Sequence, residues 1–374
     1  MRRIAGIRPL EETTIRFGGS GDNWHMTWAA NDKQYVSLCD GRGLPGTPRD
    51  KFLNSRIYSA VGSPPDVTFE LLPAYPDFYP DVETPTRYYN FGILALDQRI
   101  YSFLSTVRTA CPPENPDSRF VGAKLIYSPD NGQTWLNQDS SSPVRWEQGS
   151  ERSRDNMIFF EEPGDAFAFL TVLQMGRDYQ ENTDGYVYIY APNGSVEGTM
   201  NQLAMCRVAK DRVLDRRAYE FFRTLRGDGS AEWSPRIEDR GPVYTFPSGW
   251  VNQKAHPYGW HPSVVYYAPT KQYLMANWGM GCTPDGSWWF GKPSYLGFWT
   301  AQHPWGPWTQ VHEDTAWTPT GDQRERAYQV QIAPKWITAD GKSFWLVWTD
   351  YQEVEGKGRP YYAFNAQKAD VVIQ

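Results

Sequence analysis

Apolar and polar positions alternate in short bursts along this chain, with turn residues between the bursts, and only one segment carries helical spacing. The stretch "YYNFGILALDQRIYSFLSTVR", residues 88 to 108, reads as two strands hinged at Asp97 and Gln98. Likewise "PSVVYYAPTKQYLMANWGM", residues 262 to 280, reads as two strands around Ala268 to Lys271. Further strand candidates are "AKLIYS", "AFAFLTVLQM", "GYVYIYAP", "QLAMCRVAK", "SYLGFWTAQ", "SFWLVWTDYQ" and "YYAFNAQKADVVI". The exception is "DRVLDRRAYEFFRTL", residues 211 to 225, where Leu214, Ala218, Phe221, Phe222 and Leu225 approximate one face and predict a helix. Pro-rich stretches, "GSPPD" and "ACPPENPDS", fall between strands as loops, and no Ser/Gly linker divides the chain. So many short strands without a division predict an all-β protein, a five-bladed β-propeller forming a single domain over residues 1–374, with at most one or two short helices. At about 65 to 75 residues per blade, five blades fit this length.

One turn is specific. In "YSPDNGQTW", Tyr127 to Trp135, the pattern Ser-x-Asp-x-Gly-x-Thr-Trp is that of the Asp box, a hairpin turn of sialidase-type and related propellers. Asp130 is suited to accept backbone N–H groups across the turn, Gly132 to take a positive φ, and Trp135 to cover the hairpin. Such a turn is structural and belongs on the outer rim. A sialidase would also need three arginines around a carboxylate and a tyrosine nucleophile with its glutamate, and no convincing arginine set is present.

Composition narrows the partners. With 37 basic against 43 acidic residues and a net charge of -6, the chain offers no basic face for nucleic acid or an anionic membrane. No apolar run approaches the roughly 18 residues of a membrane span, and the start "MRRIAGIRPLEETTIRF" lacks the apolar core of a secretory signal, so a soluble protein is expected. An export signal removed from a mature form, and a role outside the cell or at its wall, stay open. Aromatic residues make up 16% of the chain, which suits both pleated surfaces and a site that grips sugar rings. Cys39, Cys111, Cys206 and Cys282 are scattered without metal-ligand spacing and read as buried free thiols. Phosphate-binding glycine loops and a G-x-S-x-G elbow are missing.

The densest constellation is "GGSGDNWHMTWAANDKQYVSLCDGRG", residues 18 to 43. Asp22 and Asp40 each stand beside glycine at the edge of a strand-like segment, 40 − 22 = 18 positions apart, so a strand, a turn and a return strand bring both to one end of a hairpin. Paired carboxylates at one mouth are what glycoside hydrolysis requires, one to protonate the leaving oxygen and one to activate water or attack directly. Trp24, His25 and Trp28 between them are candidates for sugar contact. The alternative is two ordinary β-turns, with Asp favoured for its backbone bonds.

From "TTIRFGGSGDNWHMTWAANDKQYVSLCDG" through "DNMIFFEE", "AFAFLTVLQMGRDYQENTDGYVYIYAP", "LAMCRVAKDRVLDRRAYEFF", "HPSVVYYAPTKQYLMAN", "TAQHPWGPWTQV" and "IAPKWITADGKSFWLVWTD", the chain resembles a family of endo-D-arabinanases that cut mycobacterial cell-wall arabinan. The resemblance covers nearly the whole length. It implies a five-bladed propeller that hydrolyses α-D-arabinofuranosyl linkages of arabinogalactan or lipoarabinomannan with two aspartates in the N-terminal blade, which match Asp22 in "GDNW" and Asp40 in "CDG". Asp22 is the preferred acid and Asp40 the preferred base, with inversion of configuration.

Remaining candidates come from loops and strand starts. Gln174, Arg177, Tyr179 and Asp184 surround a loop in "LQMGRDYQENTDGYVY", with Gln174 and Asp184 taken as sugar contacts. Asp155 lies in "ERSRDNM", followed by Glu161 and Glu162. Asn90 in "YYNFG" and Trp278 in "ANWGMG" are offered as substrate contacts, against core packing for the tryptophan. His261 in "GWHPSVVYY" is set to bond sugar hydroxyls or, as in some five-bladed glycosidases, to help hold an ion on the channel axis. No cofactor and no catalytic metal are expected, a structural cation in the channel being the open alternative. The expected partner is an oligosaccharide or polysaccharide.

Overall fold

The computed structural model describes residues 2–78, 87–107, 120–148, 151–156, 158–168, 170–194, 201–246, 262–279, 281, 292–350 and 362–374. Five antiparallel sheets follow one another along the chain. Blade I holds a broken first strand, Ser20–Asp22 and Met26–Trp28, then Gln34–Gly43, Leu53–Ser63 and Asp66–Leu71. Blade II runs Tyr88–Leu96, Arg99–Val107 and Phe120–Ser128, with Leu136–Asn137 and Ile158–Phe160 both on its third strand. Blade III runs Thr171–Val172, Tyr186–Pro192, Gln202–Ala209, Glu220–Leu225 and Ala231–Ser234. Blade IV runs Ser263–Tyr267, Gln272–Gly279, Ser294–Ala301 and Thr309–Trp317. Blade V runs Ala327–Ile337, Ser343–Asp350 and Phe364–Ile373, and Ile4–Pro9 from the chain start forms its outer strand. That pairing, Ile7 opposite Val371 and Pro9 opposite Ala369, closes the ring.

The hairpins form where turn chemistry allows. Asp97 and Gln98 both take positive φ, 50° and 64°, which matches the twist of the flanking strands in a two-residue turn. The strand expected over "AFAFLTVLQM" is reduced to Thr171–Val172, extended by an isolated parallel bridge between Gln174 and Val265. The expected helix over residues 211 to 225 is corrected: 3-10 turns at Lys210–Arg212 and Arg216–Ala218 lead into the strand Glu220–Leu225. Aromatic "YEFF" favours a pleated surface. Phe221 and Phe222 pair with Ser234 and Trp233, while the Arg216 guanidinium covers the Phe160 and Phe221 rings.

Hydrophobic burial is organised in wedges between blades. Successive residues of one strand feed opposite wedges: Leu274 and Phe298 pack with blade V, whereas Met275 and Trp299 pack with blade III. Because each inner strand is covered on both faces, tryptophan and tyrosine fill these wedges edge-on, as Trp24 does against Phe364 and Trp299 against Phe246.

The Asp box lies between the third strand of blade II and its edge strand Leu136–Asn137. Asp130 accepts from the Gln133 and Thr134 amides at 3.0 and 2.8 Å and from the Thr134 hydroxyl at 2.7 Å. Burial raises the proton affinity of its carboxyl, and these bonds outweigh that effect and hold it below the usual carboxylate range. Gly132, at φ 92°, abuts Leu72, and Trp135 stands edge-on to Tyr75 at 5.0 Å, so the turn also fastens blade II to blade I. Asp130→Ala should lower stability by about 1–2 kcal/mol, by analogy with loss of a cap, and leave turnover per folded molecule unchanged. Thermal melting alongside an active-site titration would check both halves.

Candidate active site

The first strand of every blade contributes to an axial cavity, lined by His25, Met26, Phe91, Ile93, Thr171, Val172, Gln174, Pro262, Ser263, Val264 and Gln331. Each first strand begins at one face of the ring, here the upper face, and turns back at the lower. Asp22 and Asp40 lie at the upper end of blade I.

Their placement depends on an irregularity. Ser20 pairs with Gly43 but Asp22 with Cys39, so the second strand bulges over Asp40 to Arg42. Asp40 sits at φ 45° in the bulge and Asn23 at φ 60° where the first strand breaks, both in the left-handed region that Asp and Asn tolerate best. At Gly41 the two strands touch: a Cβ there would lie 2.1 Å from the Ser20 carbonyl oxygen.

Asp22 is received by two blades. Asn23 Nδ2 donates to Asp22 Oδ1 at 2.8 Å, and the Tyr328 hydroxyl of blade V donates to Oδ2 at 3.0 Å. Burial first, and the neighbouring Asp40 charge second, push the Asp22 carboxyl up to about 8, against bonds from Tyr328, Asn23 and Tyr362 that favour the charged form. Asp40 Oδ1 accepts from Asn54 Nδ2 at 2.8 Å, and the Asp40 carbonyl accepts from the Tyr362 hydroxyl at 2.9 Å. Asn54 is itself fixed, its Oδ1 accepting from the Tyr88 amide at 2.7 Å. Below the pair, the Cys39 thiol is fully buried and raised by burial, then by the charges of Asp22 and Asp40. The site therefore holds one carboxyl neutral at physiological pH beside another whose charge it feels.

The other sequence candidates divide sharply. His25 and Gln174 do face the axis. Burial pushes His25 down to about 3, so its imidazole is neutral, and Gln174 Nε2 donates to the Ile93 and Val172 carbonyls, lacing blades II and III together. Trp24 is corrected: it is fully buried in the wedge between blades I and V, where no sugar can stack on it. Trp28 is corrected too, since it lies at the lower end of the same strand with its Nε1 donating to Asp32 at 2.9 Å. Asp184 belongs to the same lower face; its carboxylate accepts from Tyr188, Asn182 and the Tyr186 amide, and the preceding loop binds blade I through Arg177 and the Ala30 carbonyl. Asp155 is exposed on the 3-10 turn Arg154–Asn156, ahead of an edge strand rather than an inner one, and Glu162 is buried between Arg154 and Arg216.

Asn90 is fully buried beside the site, with its backbone N–H on the Cys39 thiol and no hydrogen-bond partner for either side-chain polar atom. Trp278 is also buried, edge-on to Tyr328 at 5.9 Å, and supports that ring from blade IV. His261 lies outside the described residues, as do Cys111 and Cys282; Cys39 and Cys206 are buried free thiols. Sequence reading missed Asn54, Tyr328 and Tyr362, which hold the carboxyl pair. No local signal marks them, because each acts across a strand or blade boundary. Among the described residues there is no cluster of three or more His, Cys, Asp or Glu side chains arranged to hold a metal, and no helix long and apolar enough to cross a membrane.

Fold and site together define a five-bladed β-propeller with a carboxyl pair at its upper mouth. No family model matches the chain, and no curated protein does. Among solved structures it is similar to a provisionally named hydrolase from Bacteroides ovatus ATCC 8483, at a TM-score of 0.50 and 16% identity, over 95% of this chain and 87% of that one. It is also similar to the Bacteroides ovatus protein described as xyloglucan PUL GH43B, at 0.51 and 13%, over 96% of this chain and 54% of that one. The α-L-arabinofuranosidase PaAbf62A of Podospora anserina, solved with cellotriose, aligns over 99% and 91% at 0.46 and 10%. The first two likenesses show the propeller fold.

Proposed function

We propose that the chain is a glycoside hydrolase that cuts α-D-arabinofuranosyl polymers internally, with Asp22 as general acid and Asp40 as general base. The observation that carries the reading is the pair itself, in which burial and the Asp40 charge keep Asp22 protonated near neutral pH. An acid kept neutral beside an ionised carboxylate is the division of roles that glycosidic cleavage demands. Asp22 gives its proton to the leaving oxygen as the C1–O bond breaks, and Asp40 takes a proton from the water that attacks C1 from the opposite side. The names of the two Bacteroides structures, one a hydrolase and the other a xyloglucan PUL GH43B protein, agree with the coarser part of this reading. The D-arabinan substrate and the inverted product are supported by the sequence resemblance.

Incubation with mycobacterial arabinogalactan should release short arabino-oligosaccharides, with NMR of the first turnovers showing the inverted anomer. Products from α-L-arabinan or xylan, with none from arabinogalactan, would sink the substrate and keep the class. Tight glycan binding without product would make the propeller a binding module.

A further inference from the structure

Asp22 belongs to the first blade, yet Tyr328 and Tyr362, two of the three side chains that bond its carboxyl, come from the last. Tyr328 starts the inner strand of blade V, is buried, packs edge-on against Trp278 of blade IV and reaches Asp22 Oδ2 at 3.0 Å. Asn23 holds the other oxygen, Oδ1, through an amide nitrogen that can only donate. A neutral carboxyl held this way must keep Oδ1 as its carbonyl oxygen and carry its proton on Oδ2, the atom beside Tyr328. A tyrosine hydroxyl both accepts and donates, so it can serve either protonation state by reversing one hydrogen bond.

We propose that Tyr328 is the positioning residue of the catalytic acid, accepting from the Asp22 Oδ2–H before proton transfer and donating to the carboxylate once the proton has gone. The inference rests on the assignment of Asp22 as acid. In the step, the Oδ2–H bond breaks and the glycosidic oxygen gains that proton as the C1–O bond opens. The charge left on Oδ2 then receives the turned Tyr328 O–H, and a hydrogen bond to a charged acceptor is about twice as strong as a neutral one. Tyr328 therefore favours the product side of the proton transfer. Its counterparts are few. Asp40 and Cys39 face Asp22 from its own blade, and Tyr328 and Tyr362 from blade V, while Arg16 is paired with both Glu325 and Asp350.

The test compares arabinan with a nitrophenyl arabino-oligosaccharide, whose leaving group needs little protonation. Tyr328→Phe keeps the ring on Trp278 and should cut kcat on arabinan roughly tenfold, with KM and the nitrophenyl rate within about twofold of the parent. It should also move the alkaline limb of the kcat/KM profile to higher pH. A fluorotyrosine at 328, isosteric and a stronger donor, should move that limb the other way. Tyr267→Phe, which removes a buried hydroxyl bonded to the Gly341 carbonyl at the lower face, should change neither profile nor selectivity. Equal losses on both substrates, or an unmoved limb with both 328 variants, would overturn the role of Tyr328. Full arabinan activity in Asp22→Asn would instead overturn the assignment of the acid.

Discussion

Asp22→Asn is expected to abolish arabinan hydrolysis while raising the melting temperature at neutral pH. The amide has the size of the acid but no proton to give, and loss of general acid catalysis costs about 10²- to 10⁴-fold in rate. The gain in stability follows from linkage. Burial and the Asp40 charge lift the Asp22 carboxyl from 3.8 to about 8, so between those limits the folded chain holds a proton that the unfolded chain has released. Wild-type stability from this group therefore falls as pH rises from about 4 to about 8. Each unit of such a shift is worth about 1.4 kcal/mol. Asparagine cannot titrate and escapes the penalty. The two melting temperatures should coincide near pH 4 and separate progressively towards pH 8. A variant that melts lower than its parent at pH 8 would show that the carboxyl is not held in its neutral form.

Gly41→Ala should damage fold and turnover together. A methyl group at this position would stand 2.1 Å from the Ser20 oxygen and 2.4 Å from the Gly21 Cα, both backbone atoms that no rotamer change relieves. Overpacking usually costs 1–3 kcal/mol, and with backbone on both sides about 3 kcal/mol is expected here. The strands that must part are those carrying Asp22 and Asp40. Calorimetry should record a drop of several degrees, and kcat should fall much further than the loss of folded molecules explains. An unchanged melting temperature would mean that the two strands have room to separate.

Local physics made much of the molecule legible in the sequence. The Asp97–Gln98 and Ala268–Lys271 turns, the Asp box and the hairpin that brings Asp22 near Asp40 are decided by residues close together in the chain. Other features escaped for physical reasons. A propeller strand is buried on both faces, so the aromatic character of Trp24 and Trp278 does not tell an interblade wedge from a sugar-facing wall. Helical spacing over residues 211 to 225 was outweighed by the pleated-sheet preference of Tyr219, Phe221 and Phe222. Asp184 resembles a mouth residue until strand direction is known, and its hairpin then falls on the lower face. The grip on the acid joins positions 306 residues apart, beyond the reach of any motif.

That last separation has a consequence for biogenesis. The two acidic groups are translated first, and the phenol that steadies one of them follows 306 residues after Asp22. A partly made molecule thus carries its acidic pair unsupported, and the grip forms only when the final sheet docks against the first.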